Sequence, residues 1–94
     1  MTLSTHVLDT ERGRPARGVR VALYHDAALV GEGVTGEDGR ISELASGPAG
    51  TYLVVFHPPS PFFRRVELEV SLGDGHPHVP LLVSSYACAT YRGS

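Results

Sequence analysis

Hydrophobic and polar residues alternate along short stretches of this chain, and turn-forming residues separate those stretches. In the segment 66–70, Val-Glu-Leu-Glu-Val, the alternation is strict, as expected of a β-strand with one buried and one solvent-facing side. The chain has 11 glycines and 7 prolines, which punctuate these runs and favour turns over helices. We therefore predict an all-β sandwich of seven to eight strands with little or no helix. The strands are expected near residues 3–9, 18–25, 28–35, 40–44, 50–57, 65–72, 78–83 and 86–91.

Turn chemistry accounts for several connections between these strands. We predict a first turn over residues 12–15 and a hairpin at Asp26-Ala27. The run Glu37-Asp38-Gly39 predicts a tight turn in which Gly39 adopts a positive φ, because glycine reaches that conformation at little cost.

The segment 57–65 is unusually rich in proline. Pro58, Pro59 and Pro61 fall within four residues, and this spacing excludes a helix. We expect an extended, rigid loop in which Phe62 or Phe63 packs back on the core.

Alternation along the strands also groups the residues that carry candidate chemistry, because every second side chain of a strand points to the same side. The sets predicted to share a face are Ser4, His6 and Leu8 in the first strand, His78, Pro80 and Leu82 in the strand 78–83, and Ala87, Ala89 and Tyr91 in the last strand. Two small alanine side chains on that face leave room for a planar ligand.

The length, charge and cysteine content of the chain limit the kinds of protein it can be. The 94 residues predict a single domain, 1–94, whose small core would gain from self-association. A net charge of -2 and a pI near 6.2 provide no basic face for nucleic acid. No apolar run approaches the ~20 residues of a membrane span, so we predict no membrane partner. Without a signal-peptide pattern, and with Cys88 as the lone cysteine, we expect a cytoplasmic location.

Three ordered blocks of sequence resemble a known family. They are residues 3–10, Leu-Ser-Thr-His-Val-Leu-Asp-Thr, followed by Gly13, Pro15 and Ala16; residues 37–40, Glu-Asp-Gly-Arg; and residues 91–94, Tyr-Arg-Gly-Ser. Over nearly the whole chain these blocks resemble the 5-hydroxyisourate hydrolases, the enzymatic members of the transthyretin family. The usual members carry a longer stretch with a short helix between the fifth and sixth strands, where this chain has only residues 57–65.

The resemblance implies a transthyretin-like (prealbumin-like) sandwich that assembles as a homotetramer, a dimer of dimers, with a groove where two dimers meet. It also implies hydrolysis of a cyclic amide without a cofactor or metal: 5-hydroxyisourate is converted to 2-oxo-4-hydroxy-4-carboxy-5-ureidoimidazoline in urate catabolism. A further residue match is His78, which precedes Val-Pro-Leu at residues 79–81. The resemblance implies catalytic roles for His6, Arg40, His78 and Ser94, and substrate binding by His6, Arg40, His78, Tyr91, Arg92 and Gly93. Gly93 is expected to let the backbone turn so that Ser94 faces the ligand.

These residue types suit that reaction. A histidine with a pKa near neutrality is a natural base for activating water. The positive charges of His6, His78 and Arg40 disfavour one another, so at least one imidazole is expected to stay neutral. Arginine donates paired hydrogen bonds to a carbonyl or an oxyanion. The sequence leaves open which histidine is the base.

Other interpretations are compatible with parts of this pattern. A strand histidine such as His6, or a turn arginine such as Arg40, is often an ordinary surface residue. His76 and His78 could also supply two ligands of a metal site, although no cysteine lies nearby. A non-catalytic, transthyretin-like protein that binds a small ligand is the main alternative, because sandwiches host many functions. Such a carrier has no evident need for the two histidines, Arg40 and the Tyr-Arg-Gly-Ser segment together.

Overall fold

The computed structural model describes residues 1–93 and contains nine β-strands within that range. They are β1 (Thr2–Asp9), β2 (Arg14–Pro15), β3 (Arg20–His25), β4 (Ala28–Val34), β5 (Arg40–Ser46), β6 (Gly50–His57), β7 (Val66–Leu72), β8 (His78–Val83) and β9 (Cys88–Thr90). Between residues 1 and 93 there is no helix, and hence none that is long and apolar enough to cross a membrane. The predicted all-β fold is confirmed.

The strands form two sheets. The first has the order β2-β1-β8-β9, with β5 also paired to β1, and the second has the order β4-β3-β6-β7. All pairs are antiparallel except β1 and β8, which run parallel. The first strand of the chain therefore lies at the centre of its sheet, beside a strand made near the end of the sequence.

The alternation predicted for β1 is confirmed. Every second residue, beginning with Leu3, is buried, and the residues between them are half-buried on the opposite side. The buried side chains pack in one hydrophobic core with residues of the second sheet such as Phe56. Thr5 is also buried, and its hydroxyl donates a hydrogen bond of 2.6 Å to the carbonyl of Val79. The inner face of β1 thus holds the core, which leaves its outer face for chemistry.

The predicted hairpin at Asp26-Ala27 joins β3 and β4. Both residues have positive φ, 51° for Asp26 and 65° for Ala27, as in the two-residue type I′ turn that matches the twist of paired strands. Aspartate tolerates this conformation better than alanine does, so Ala27 holds it under strain.

The first turn ends earlier than predicted. The carboxylate of Asp9 accepts hydrogen bonds from the backbone N–H groups of Glu11 and Arg12, at 3.1 Å each, and this closes the turn before residue 14. The prediction of a turn over 12–15 is therefore wrong at its end, because residues 14–15 pair with β1 as the short strand β2.

The last strand is shorter than the predicted 86–91. The N–H of Ser84 donates to the carbonyl of Ala87 at 2.9 Å, so the corner extends to residue 87 and β9 begins at Cys88. Ala87 consequently lies in the corner rather than in the strand.

The segment 58–65 has no helix, as predicted, but neither phenylalanine packs in the core. Phe62 is 63% exposed, and its ring meets that of Phe63 edge to face with the centroids 4.9 Å apart. The hydroxyl of Ser60 accepts the N–H groups of both phenylalanines and donates to the carbonyl of Ser85. These bonds hold the loop as a compact bend against the β8–β9 corner, which directs the phenylalanines away from the core.

Candidate active site

His6 and Arg40 lie directly opposite each other on the outer face of the first sheet. They are paired across β1 and β5, where opposing Cβ atoms are about 4.5–5.5 Å apart. The pairing depends on a register shift between Leu3 and Thr5, because the unshifted register of Leu3 with Ala45 would put Ser42 opposite His6. Irregularities of this kind re-aim side chains beside functional sites.

The tight turn before β5 holds both of these residues. Nε2 of His6 lies 2.8 Å from the backbone carbonyl of Asp38, and the carboxylate of Asp38 accepts the N–H of Arg40 at 2.9 Å. Since a carbonyl only accepts hydrogen bonds, Nε2 of His6 must carry the proton. Gly39 has a φ of 76°, as predicted, and a side chain there would meet the carbonyl of Val7 and the ring of Pro15. Glycine is therefore required for the turn to approach β1 this closely.

His78 is brought to the same face by the parallel pairing of β1 and β8. Its partner across the two strands is Ser4, two residues before His6. The hydroxyl of Ser4 lies 2.8 Å from Nδ1 of His78, in a partly buried position. The face predicted to hold Ser4 and His6 therefore also holds His78.

The pKa of His78 is lowered from its ordinary value. Burial is the main cause, followed by the positive charge of Arg40 and then that of His6, while hydrogen bonding to the backbone of Ser4 acts in the opposite direction. An imidazole with a lowered pKa is mostly neutral at pH 7 and can accept a proton. The expectation that one imidazole of this cluster stays neutral is supported for His78, although burial contributes more than the neighbouring charges.

The tail that follows β9 is fixed against His78 up to residue 93. The N–H of Gly93 donates to the carbonyl of His78 at 2.8 Å, which continues the antiparallel pairing of β8 beyond Thr90. A Cβ added to Gly93 would lie 2.5 Å from Cδ2 of the His78 ring. Gly93 has no left-handed backbone conformation, and glycine is needed here for close approach to the imidazole. The turn predicted to direct Ser94 lies outside the described residues.

The other predicted substrate-binding residues are exposed around this contact. Tyr91 is 59% exposed and Arg92 is also exposed, and both line an open groove of about 720 Å³ between the edge strands β7 and β9. His6, Arg40 and His78 do not line this groove. Ala89 lies opposite Leu82 in β8, on the same side of the sheet as His78. Ser94, which we predicted as a catalytic residue, lies outside the described residues.

The remaining histidines do not join this cluster. His76 is exposed, His57 is exposed on β6, and His25 stacks on Tyr52 with ring centroids 4.4 Å apart. Within residues 1–93, no three side chains of the His, Cys, Asp and Glu types are arranged to hold a metal ion.

Two contacts of the site were not predicted from the sequence. Alternation placed Ser4 on the face of His6, but its bond to His78 depends on the pairing of strands 74 residues apart. The bond from His6 to Asp38 goes to a backbone carbonyl, which no side-chain motif can indicate.

The chain matches the model of the HIUase/Transthyretin family over residues 3–93. It is 42% identical to the 5-hydroxyisourate hydrolase of Deinococcus radiodurans, an alignment that covers 98% of this chain and 95% of the relative. It is 41% identical to 5-hydroxyisourate hydrolase 2 of Rhizobium meliloti, with the same coverage. The Deinococcus alignment spans 113 positions, more than the 94 residues of this chain, so that relative contains residues that this chain lacks.

Solved structures agree with the family match. A 5-hydroxyisourate hydrolase of Klebsiella pneumoniae superposes with a TM-score of 0.91 at 36% identity, and each chain is covered completely. A sea bream transthyretin in complex with thyroxine superposes with a TM-score of 0.84 at 26% identity, covering 99% of this chain and 95% of the transthyretin. With its fold, its motifs and these similarities taken together, this chain belongs to the HIUase/Transthyretin family.

Proposed function

We propose that this protein hydrolyses 5-hydroxyisourate. The observation that carries the proposal is that His6, Arg40 and His78 lie on one face of the first sheet, where His6 pairs with Arg40 and His78 follows on the next strand. The relatives from Deinococcus and Rhizobium, which are named for this activity, support the choice of substrate.

In the proposed reaction, water attacks a carbonyl of the cyclic amide, and a neutral imidazole takes the proton that the water loses. The guanidinium of Arg40 stabilises the negative charge that develops on the carbonyl oxygen. Cleavage of the C–N bond then opens the ring and gives 2-oxo-4-hydroxy-4-carboxy-5-ureidoimidazoline, a step of urate catabolism. The groups that do this work are protein side chains, so we propose that neither a metal nor a cofactor takes part.

We assign substrate binding to the tail as well. Tyr91 and Arg92 offer an aromatic ring and a guanidinium in the two residues before Gly93, which packs on the His78 ring. We retain a catalytic role for Ser94, on the strength of its position in the Tyr-Arg-Gly-Ser motif.

We further propose a homotetramer, a dimer of dimers, in the cytoplasm. Exposed aromatic side chains flank β9, with Tyr86 at 74% and Tyr91 at 59% exposure, and self-association would cover them. The strands β7 and β9 also end their sheets with unpaired edges, at which further strands can add. Light scattering at micromolar concentration tests the assembly, and a monomeric mass would contradict it.

The alternative of a non-catalytic small-ligand carrier is less well supported. The transthyretin complexed with thyroxine is 26% identical to this chain, against 42% for the Deinococcus hydrolase.

The test is an ultraviolet assay on freshly generated 5-hydroxyisourate, with and without EDTA. We expect enzyme-dependent loss of the substrate absorbance at a rate that EDTA does not change. Loss of activity in EDTA that added metal restores would contradict the metal-free mechanism. A folded protein that binds the substrate without accelerating its decay would favour the carrier.

A further inference from the structure

Ser4 makes a contact that the proposed reaction has not yet used. Its hydroxyl lies 2.8 Å from Nδ1 of His78, and no other hydrogen bond of that hydroxyl occurs within residues 1–93. The contact is partly buried, and its two residues pair directly across β1 and β8. The orientation of the imidazole is therefore held from one side by Ser4 and limited on the other by Gly93, whose Cα faces the ring edge that carries Cδ2.

The surroundings of the ring decide which nitrogen carries the proton. A neutral imidazole has one N–H donor and one acceptor nitrogen, whereas a serine hydroxyl can accept as well as donate. Arg40 and His6 are the charged and titratable groups that act on His78 from β5 and β1, and a guanidinium has only donors. A proton on Nδ1 has the oxygen of Ser4 as its acceptor, whereas Nε2 makes no hydrogen bond within residues 1–93.

We propose that Ser4 is a positioning residue that keeps His78 protonated on Nδ1, so that Nε2 is the basic nitrogen of the site. This inference rests on the proposed hydrolase function for its catalytic consequence, but the contact itself does not. Nε2 of His78 is then the acceptor nitrogen that serves as the base, whereas Nε2 of His6 donates to the carbonyl of Asp38.

The chemical step follows from this arrangement. The water oxygen forms a bond to the amide carbonyl carbon, one water proton moves to Nε2 of His78, and the carbonyl electron pair moves onto the oxygen that faces Arg40. Collapse of this intermediate breaks the C–N bond, and the proton on Nε2 passes to the departing nitrogen. Throughout, Nδ1–H donates to Ser4, which stabilises the imidazolium while it exists.

The experiment compares the wild type with Ser4→Ala and Ser4→Thr by ¹H–¹⁵N spectra of the His78 ring, and measures kcat/KM against pH. In the wild type we expect the Nδ1–H tautomer. Ser4→Ala should populate the Nε2–H tautomer and lower kcat/KM by about 10- to 100-fold, the range seen when an orienting partner is removed. Ser4→Thr keeps a hydroxyl and should restore most of the rate.

The pH profile gives a second readout. Because a hydroxyl that accepts the Nδ1–H proton favours the charged imidazolium, its loss should lower the pKa of His78 and move the acid limb of kcat/KM to lower pH. Thr2→Ala is the matched control, since Thr2 is on the same strand and its hydroxyl bonds only to Ser46 in the described chain. That variant should change neither the tautomer nor the rate.

The outcomes separate this inference from the proposed function. An Nε2–H tautomer in the wild type, or a Ser4→Ala protein with unchanged tautomer and rate, would overturn the role of Ser4. A wild type without hydrolase activity whose tautomer still changes in Ser4→Ala would support the positioning role and overturn the proposed function instead.

Discussion

The outer faces of the two sheets carry similar residues in different states. On the first sheet His6 lies opposite Arg40, and on the second His57 lies opposite Arg20. The second face also has a groove, of about 580 Å³, with Arg65 beside the histidine. Judged by residue types alone, either face is a candidate site.

The two faces differ in how their imidazoles are held. Nitrogens of His6 and His78 bond to the carbonyl of Asp38 and the hydroxyl of Ser4, and the half-buried His78 has a lowered pKa. His57 is exposed, and its ring has no hydrogen bond within the described part of the chain. An oriented nitrogen with a defined protonation state therefore distinguishes the candidate site from a surface that merely contains the same groups.

The largest effect should come from removing the imidazoles one at a time. We expect His6→Ala and His78→Ala each to lower kcat/KM by about 10²-fold or more, the size of a general base or its partner. His57→Ala is the matched control and should keep the wild-type rate. If all three variants behaved alike in the ultraviolet assay, the distinction between the two faces would be lost.

The second-largest loss of activity is expected for Gly93→Ala. The added Cβ would lie 2.5 Å from the His78 ring, so the ring or the tail must move, and a displacement near 1 Å can cost about 10²-fold in rate. We expect a loss of about tenfold or more in kcat/KM. Gly73→Ala is the control, because a Cβ at Gly73 meets no atom within 4 Å. Equal activity of the two variants would show that the tail does not fix His78.

Arg40→Lys should lower kcat/KM by about tenfold, because a point-charge ammonium cannot reproduce the planar, paired donors of a guanidinium. The equivalent change on the other face, Arg20→Lys, should have no effect on the rate. An Arg40→Lys enzyme with wild-type kcat/KM would mean that charge alone, without geometry, accounts for the role of Arg40.

The smallest effect is expected for a substitution in the second sheet, which should change the stability of the protein but not its activity. Ala27→Gly removes the strain of a left-handed alanine from the β3–β4 hairpin, and the extra freedom of glycine in the unfolded chain offsets part of the gain. We expect the free energy of unfolding in urea to rise by about 0.5–1 kcal/mol with no change in kcat/KM. A decrease in stability would contradict the assignment of strain to this turn.

The sequence predicts most of the fold because alternation and turn chemistry are local. The burial pattern of β1 and the positive φ of Gly39 followed directly from such local patterns. The loop at Phe62 did not, because its course depends on hydrogen bonds of Ser60, one of which reaches the distant Ser85.

The candidate site was predictable to the extent that motifs carry it. The resemblance named His6, Arg40 and His78, and the faces of their strands were predictable from alternation. The register was not predictable, because the irregularity that puts Arg40 rather than Ser42 opposite His6 arises from pairing between strands. For the same reason the sequence could not reveal that Gly93 is packed against an imidazole.

The parallel pairing of β1 with β8 has a consequence for the order in which the protein folds during synthesis. Residues 2–9 leave the ribosome well before residues 78–83, so the register between the two strands cannot form until residue 83 has been made. Contacts of such long sequence separation slow folding, because a large loop must close before they stabilise the chain. Until then the nascent chain exposes the apolar side of β1 and is prone to aggregate. The pairing of β1 with β8 therefore assembles the candidate site and buries this apolar surface in the same step.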